Sequence, residues 1–385
     1  MASIKKESNG KWSFRATTGS RSTRKQVYRR GFSTRREATQ AATQLEASFD
    51  RGQNPQIGRK AFADYFHRWI DAFKIGKHSD STDRWYTTVA GYIDAYYKDT
   101  PLNRIDRESY QGFIDWLGEK PRSKFGQPLS ASTVRRANSY VRAVVKDAIE
   151  DGAIVRDFTR RVTLGGLAGK TEEEKYLSEA DFKAVIRLAE KRADMRHMSN
   201  YILVFQAYTG ARFEEALGLS WDRIDFDAGT IKFDRSWQYK LRQQYDAFGG
   251  LKNEPSYRTI TMPAPLVKVL HHLQAEQMAM FMAQGYRDKN NMVFRNATHH
   301  LVDNGATNQT LKRVCIAAKT KNVITTHGLR HTHGSILLYQ GVDILSVSRR
   351  LGHGNIQTTM DTYVHQIDEM RARDDTKINA ILAAI

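Results

Sequence analysis

Residues 326–331 read Thr326-His327-Gly328-Leu329-Arg330-His331, and the rest of the chain is read from them. Arg350-Leu351-Gly352-His353-Gly354 and Thr358-Thr359-Met360-Asp361-Thr362-Tyr363 follow. A fourth stretch lies upstream, Thr209-Gly210-Ala211-Arg212-Phe213-Glu214-Glu215. His327 and Arg330 stand three apart, so on a helix they share a face. Gly352 permits close backbone approach beside His353. Arg212 follows a turn between helical runs, and Phe213, Leu217 and Leu219 supply the packing that lets its side chain point elsewhere. Arginine carries a permanent charge on a planar fork that matches phosphate oxygens. Histidine exchanges a proton near neutral pH, and tyrosine can be a covalent nucleophile. Two arginines, two histidines and one tyrosine therefore point to covalent phosphoryl transfer on a nucleic acid. Taken singly each has a plainer reading: Arg212 as a helix-start cation paired with Glu215, Tyr363 as core. Their order and local context carry the argument.

Composition agrees with a nucleic-acid partner. The chain has 385 residues, which suits two or three domains, and a formal net charge of +18. Hydrophobic residues make up 40%. No apolar run approaches the roughly 18 residues of a membrane span, and the start lacks the apolar core of a signal peptide. The single cysteine, Cys315, excludes an intramolecular disulfide and a zinc-finger framework; its helical neighbours make it a buried structural thiol. A cytoplasmic protein acting on DNA fits this composition.

Three segments separate by pattern. Residues 1–55 hold 12 Lys or Arg against 4 Asp or Glu, a net +8. Lys11–Thr17 and Gln26–Phe32 alternate as strands, and Ser33 or Thr34 with Glu37 opens a helix carrying Ala38, Ala41, Leu45 and Phe49. Gln53-Asn54-Pro55 reads as the exit linker. The second segment, 60–163, reads as helices. One stripe is Phe62, Tyr65, Phe66, Trp69, Ile70 and Phe73; another is Trp85, Val89, Tyr92, Ile93 and Tyr96; two more helices span 107–117 and 130–151. These aromatics fall on single faces and belong to a core, whereas Arg135 and Arg136 are candidates for phosphate contact. Leu164–Thr171 is glycine-rich and reads as a flexible linker. The third segment, 174–385, is mostly helical. Ser178 caps its first helix, and strands at 230–233 and 257–262 make one β interruption. Arg15, Arg24, Arg29 and Arg30 on the first segment's sheet are candidates for DNA contact. The apolar end, Ile378–Ile385, needs a surface to cover: its own domain or a neighbouring protomer.

The chain resembles the tyrosine recombinases of the phage and conjugative-transposon integrase type. The matching elements are Thr-Gly-Ala-Arg-x-x-Glu at 209–215, Lys-x-x-x-Ser-x-Arg at 252–258, His-x-Leu-Arg-His at 327–331, Leu-Gly-His at 351–353 and Thr-Thr-x-x-x-Tyr at 358–363. The resemblance implies a multidomain, mainly α fold with small β elements: an arm-binding sheet plus helix (1–55), a helical core-binding bundle (60–163), and a mainly α catalytic domain with a small antiparallel sheet (174–385). The two larger domains are expected to clamp duplex DNA. It also implies roles. Arg212 and Arg330 clamp the scissile phosphate, His327 helps deprotonate the nucleophile, His353 donates a hydrogen bond to the phosphate, Lys252 protonates the leaving 5′ oxygen, and Tyr363 attacks. Lys240 is the alternative to Lys252. Glu215 orients Arg212. No cofactor is implied: bond energy is kept in the ester, so neither ATP nor a hydrolytic water is needed, and Arg212, Arg330 and Lys252 supply the positive charge in place of a metal. The implied partners are double-stranded attachment-site DNA, the chain itself as a DNA-bound tetramer with C-terminal segments exchanged, and two helpers, a host DNA-bending protein and an excisionase. Three rivals stand beside this reading. A metal nuclease would use His327, His331 and His333 but lacks nearby carboxylates. A non-catalytic DNA-binding regulator would leave the filled chemical positions without use. A type IB topoisomerase shares the chemistry but not the basic first segment.

Overall fold

The computed structural model describes residues 2–18, 25–50, 55–119, 127–171, 173–238, 248–360, 362–363 and 382–383. Two compact units divide the chain, Met1–Gly169 and Lys170–Ile385.

The first unit begins with three antiparallel strands in the order β1-β2-β3: β1 (Ser3–Lys6), β2 (Trp12–Thr18) and β3 (Lys25–Phe32). The sequence reading missed β1, a four-residue strand with little alternation to signal it. Phe14, Ala16 and Val27 turn to one face and pack under Ala42 and Leu45 of α1 (Arg35–Asp50). A capping box starts α1: Glu37 N donates to Thr34 Oγ1 at 3.1 Å, and Thr34 N donates to Glu37 Oε2 at 3.3 Å. Pro55 does not lie in an exit linker; it opens the single turn α2 (Pro55–Gly58), while residues 53–54 fall outside the described residues.

Four helices follow: α3 (Phe62–Phe73), α4 (Asp80–Tyr97), α5 (Arg107–Glu119) and α6 (Ala131–Glu150). The α3 stripe is buried from Phe62 to Ile70, but Phe73 is exposed. On α4 the buried face is Tyr86, Val89, Ala90, Ile93 and Tyr97, one residue round from the expected stripe, so Trp85 and Tyr96 sit at its edge. Buried polar ends find partners: Trp69 Nε1 donates to Asp147 at 2.7 Å, and the Tyr110 hydroxyl donates to Asn138 at 2.8 Å. The glycine-rich stretch is not a free linker throughout. Leu167 N donates to Leu129 O at 2.9 Å and Ala131 N to Leu167 O at 2.8 Å, pinning it to the start of α6.

The second unit is built round α8. Ser178 Oγ accepts from Asp181 N at 3.1 Å and caps α7 (Glu179–Lys191). In α8 (Met198–Thr209) every residue but Tyr208 is buried, the signature of a helix packed on all sides. After α9 (Phe213–Leu217) come β4 (Ile224–Asp225), β5 (Thr230–Phe233), the hairpin β6 (Ser236–Trp237) and β7 (Phe248–Gly249), and β8 (Arg258–Thr261). Strands β4-β5-β8 form an antiparallel sheet in which Ile231 pairs with Ile224 on one side and Ile260 on the other. Strands β4, β6 and β7 have two residues each, too short for alternation to reveal. The remaining helices are α10 (Ala264–Ala283), α11 (Asn304–Ala317), α12 (Thr326–Tyr339) and α13 (Ile344–Leu351). Cys315 is buried in α11.

Candidate active site

Arg212 stands at the N-cap of α9, held there by the glycine turn before it. Its Nη1 donates to Glu215 Oε1 at 2.6 Å and to Ser256 Oγ at 3.1 Å, and its Nη2 donates to Gly352 O at 3.1 Å. Glu215 lies one turn into α9 and is 2% exposed. Its other oxygen accepts from Arg258 Nη2 at 2.9 Å and from Arg212 N at 2.9 Å. Burial alone would push this carboxyl up. Arg258 and Arg212 outweigh it and hold the group at about 2.

Arg330, on α12, is 2% exposed. Its Nη1 donates to Gly210 O at 2.7 Å and its Nη2 to Leu351 O at 2.5 Å. Burial, with Arg212 nearby, pulls the guanidinium down to about 9, so it stays charged at neutral pH. The two glycine turns thus serve the arginines crosswise: Gly210, beside Arg212, feeds Arg330, and Gly352, beside His353, feeds Arg212. Both glycines are left-handed, and a Cβ on Gly210 would lie 2.6 Å from Leu351 Cδ2. Three guanidiniums and one carboxylate meet here, an excess of two positive charges.

His327 shares the α12 face with Arg330 and is exposed to solvent. The atoms packed round it, then the fields of His331, Arg330, Arg212 and Lys252, push its imidazole down to about 4. The His331 ring stands perpendicular to it, centroids 4.6 Å apart. His353 follows α13, with Nδ1 2.7 Å from the buried Thr359 Oγ1; burial and the two arginines push its ring down to about 3. Tyr363 is 2% exposed and packs on Leu338, Val347 and Leu351. Its hydroxyl rests against Gly334, one turn beyond Arg330, where a Cβ would lie 2.2 Å away. Burial pushes the phenol up to about 12, with Arg330 pulling the other way. Lys252 is exposed on the segment between β7 and β8, its charge acting on His327. The structure therefore brings Arg212, Glu215, Arg330, His327, His353 and Tyr363 together within the second unit. Lys240 lies outside the described residues, as does most of the apolar end, 378–381 and 384–385.

Ser256, Arg258 and Thr359 were named in the motifs without a role. Arg258 had a signal: it shares the side of β8 that carries buried Ile260, where a charge needs a partner. It also stacks over Phe233 at 4.4 Å. The histidine-metal reading loses a ligand to geometry. His333 Nδ1 lies 2.9 Å from Ala207 O and its Nε2 accepts from Arg350 Nε at 3.1 Å, so both ring nitrogens are engaged.

On the first unit's sheet, Arg15 lies opposite Tyr28 and Arg30 opposite Ser13, so Arg15, Arg30 and Tyr28 share the face away from α1. Lys5 joins them through its pairing with Ser13. Arg29 does not: it pairs with Phe14 and turns to the helix-covered face, because its strand parity differs. Arg24 lies outside the described residues. Arg135 and Arg136 are exposed on α6, with Arg136 stacked over Trp85 at 4.7 Å.

Residues 175–370, about half the chain, match the phage integrase family. The chain belongs to the phage integrase family. It is a tyrosine-type site-specific DNA recombinase. Residues 61–163 match the phage integrase SAM-like domain and 3–49 the arm DNA-binding domain. This integrase is 23% identical to a tyrosine recombinase XerC-like protein of Caldanaerobacter subterraneus, over 96% of this chain and 97% of that one. It is 24% identical to the ICEBs1 integrase of Bacillus subtilis, over 99% and 100%. Its fold matches the Tn1549 transposon integrase in complex with transposon right end DNA, TM-score 0.65 at 16% identity, over 82% of this chain and 98% of that one. It also matches a lambda integrase dimer bound to a core site, TM-score 0.58 at 13% identity, over 93% of each chain. No described helix of the integrase is long and apolar enough to cross a membrane.

Proposed function

We propose that this integrase moves a mobile element or prophage between attachment sites through a 3′-phosphotyrosyl intermediate, with Tyr363 as nucleophile. The observation that carries the reading is the buried cation cluster. Arg212, Arg258 and Arg330 face one carboxylate, Glu215, and their excess of two charges suits the doubly charged phosphorane formed as a phosphodiester is attacked. Arg212 and Arg330 hold the non-bridging oxygens, and His353 donates to one of them. The Tyr363 oxygen bonds to phosphorus as the bond to the 5′ oxygen breaks. The phenolic proton passes toward His327, and Lys252 supplies a proton to the departing 5′ oxygen. The hydroxyl of a partner strand reverses these steps, so no ATP, metal or hydrolytic water enters.

On this reading residues 1–55 bind arm-type DNA through Lys5, Arg15 and Arg30; residues 60–163 grip the core site, with Arg135 and Arg136 on phosphates; and residues 174–385 do the chemistry. Four copies act together on DNA in the bacterial cytoplasm, with a DNA-bending protein and an excisionase as helpers, and the apolar end docks on a neighbouring protomer. The test is a nicked suicide duplex carrying the core site. Wild type should form a denaturation-resistant adduct, in excess EDTA as well as without it, and Tyr363→Phe should bind but form none. An adduct in the Phe variant would reassign the nucleophile, and an adduct that needs a divalent ion would favour metal chemistry.

A further inference from the structure

The motif Lys-x-x-x-Ser-x-Arg at 252–258 contains a serine that the chemistry above does not use. Ser256 is fully buried and ends the short turn Glu254–Ser256, directly after Lys252 and Asn253. Its hydroxyl accepts from Arg212 Nη1 at 3.1 Å. The same hydroxyl donates to Asn253 Oδ1, with Gly352 O a second acceptor at 3.3 Å. Ser256 N donates to Asn253 O at 3.0 Å, closing the turn. Gly352 O is also the acceptor of Arg212 Nη2 at 3.1 Å. Asn253 in turn packs on the segment after His353, where a Cβ on Gly354 would lie 2.6 Å from its Nδ2. Three chain segments far apart in sequence thus meet at one hydroxyl: the Arg212 cap, the Lys252 turn and the loop that carries His353. Only an atom that accepts from a guanidinium and donates to an amide oxygen fills this seat, and a hydroxyl does both.

We propose that Ser256 is a positioning residue that sets the Lys252 turn against the Arg212 guanidinium, so that proton donor and anion clamp reach the phosphate in fixed register. This rests on the roles given to Lys252 and Arg212 above. The chemistry supplies a readout that a general loosening of the fold would not move. If the scissile 5′ oxygen is replaced by sulfur, the leaving thiolate departs without being protonated. A defect in delivering the Lys252 proton is then relieved, and a defect in folding is not.

The full-length protein is compared as wild type, Ser256→Ala, Ser256→Thr and Lys252→Ala on nicked duplexes with oxygen or sulfur at the scissile 5′ position. On the oxygen duplex Ser256→Ala should cleave about tenfold to a hundredfold slower, the scale of one hydrogen bond to a charged group, with duplex binding unchanged. On the sulfur duplex Ser256→Ala and Lys252→Ala should both recover most of their loss. Ser256→Thr, which keeps the hydroxyl, should stay near wild type on both. Ser256→Ala cleaving the oxygen duplex like wild type would overturn the proposal, as would Ser256→Ala staying equally slow on both duplexes while Lys252→Ala recovers. If Lys252→Ala itself gains nothing from sulfur, the role of Lys252 fails instead, and the two failures are told apart by that control.

Discussion

Neutralising Glu215 should destabilise the second unit by an amount that depends on pH. The carboxylate is 2% exposed and bridges Arg212 at 2.6 Å and Arg258 at 2.9 Å. Its pKa falls from the ordinary 4.5 to about 2. At about 1.4 kcal/mol per unit, the folded state gains about 3 kcal/mol from the ionised form. That agrees with the roughly 3–5 kcal/mol lost when one partner of a buried ion pair is removed. The folded pKa is depressed, so this stability is complete above pH 4.5 and is lost as pH falls toward 2. Glu215→Gln keeps the size and one acceptor oxygen but not the charge. The gap between wild type and variant should be about 3 kcal/mol at pH 7, about half that at pH 3, and near zero at pH 2. The chain has two units, so a global melt would mix their transitions. Hydrogen exchange of the slowest α8 amides reads the opening of the second unit by itself. A gap below about 1 kcal/mol at pH 7, or one that does not narrow between pH 7 and pH 3, would show that Glu215 acts through packing rather than charge.

Gly334→Ala should cut adduct formation at least about tenfold while leaving core-site binding intact, because the added Cβ would lie 2.2 Å from the Tyr363 hydroxyl; unchanged cleavage would mean the ring does not use this seat. Arg15→Ala with Arg30→Ala should weaken binding to arm-type DNA and lower the salt slope by about two, while Arg29→Ala, on the helix-covered face, should leave that slope alone; equal slopes for all three would refute the facing assigned to the sheet. His327, held at about 4 in the free protein, should titrate higher by histidine NMR once a core-site duplex places a phosphate beside it, and a value unmoved by DNA would separate His327 from the phosphate.

Local structure was legible because it is written locally. The Thr34–Glu37 and Ser178–Asp181 caps and the α3 stripe depend on residues within a few turns of one another. The motifs carrying Arg212, Arg330, His353 and Tyr363 could likewise be picked out by order and spacing. Their connections could not. Arg330 donates to Gly210 across 120 positions, and Arg212 donates to Gly352 across 140. No periodicity encodes which carbonyl an arginine will find. The same limit explains why Arg258 stood in a quoted motif without a role: its partner Glu215 is 43 positions away. Arg29 failed for a different reason. Its neighbours Tyr28 and Arg30 are equally polar, so alternation could not say which face was inward until the pairing with Phe14 fixed the register.

The pKa values place the free protein in a resting state on the proposed mechanism. A base near 4 takes almost no proton from a phenol near 12. The causes of that gap are also what DNA would change. His327 is low because it is packed in and ringed by His331, Arg330, Arg212 and Lys252. A phosphodiester seated between the two arginines brings negative charge into that ring and raises the imidazole toward useful basicity. The phenol is high because it is buried, and Arg330 already pulls it down. As the Tyr363 oxygen moves toward phosphorus it approaches that guanidinium more closely, which favours the phenolate. Both changes follow from the bound phosphate, so the base and the nucleophile are activated by the group they act on. The buried excess of positive charge is therefore also what ties proton transfer to the presence of DNA.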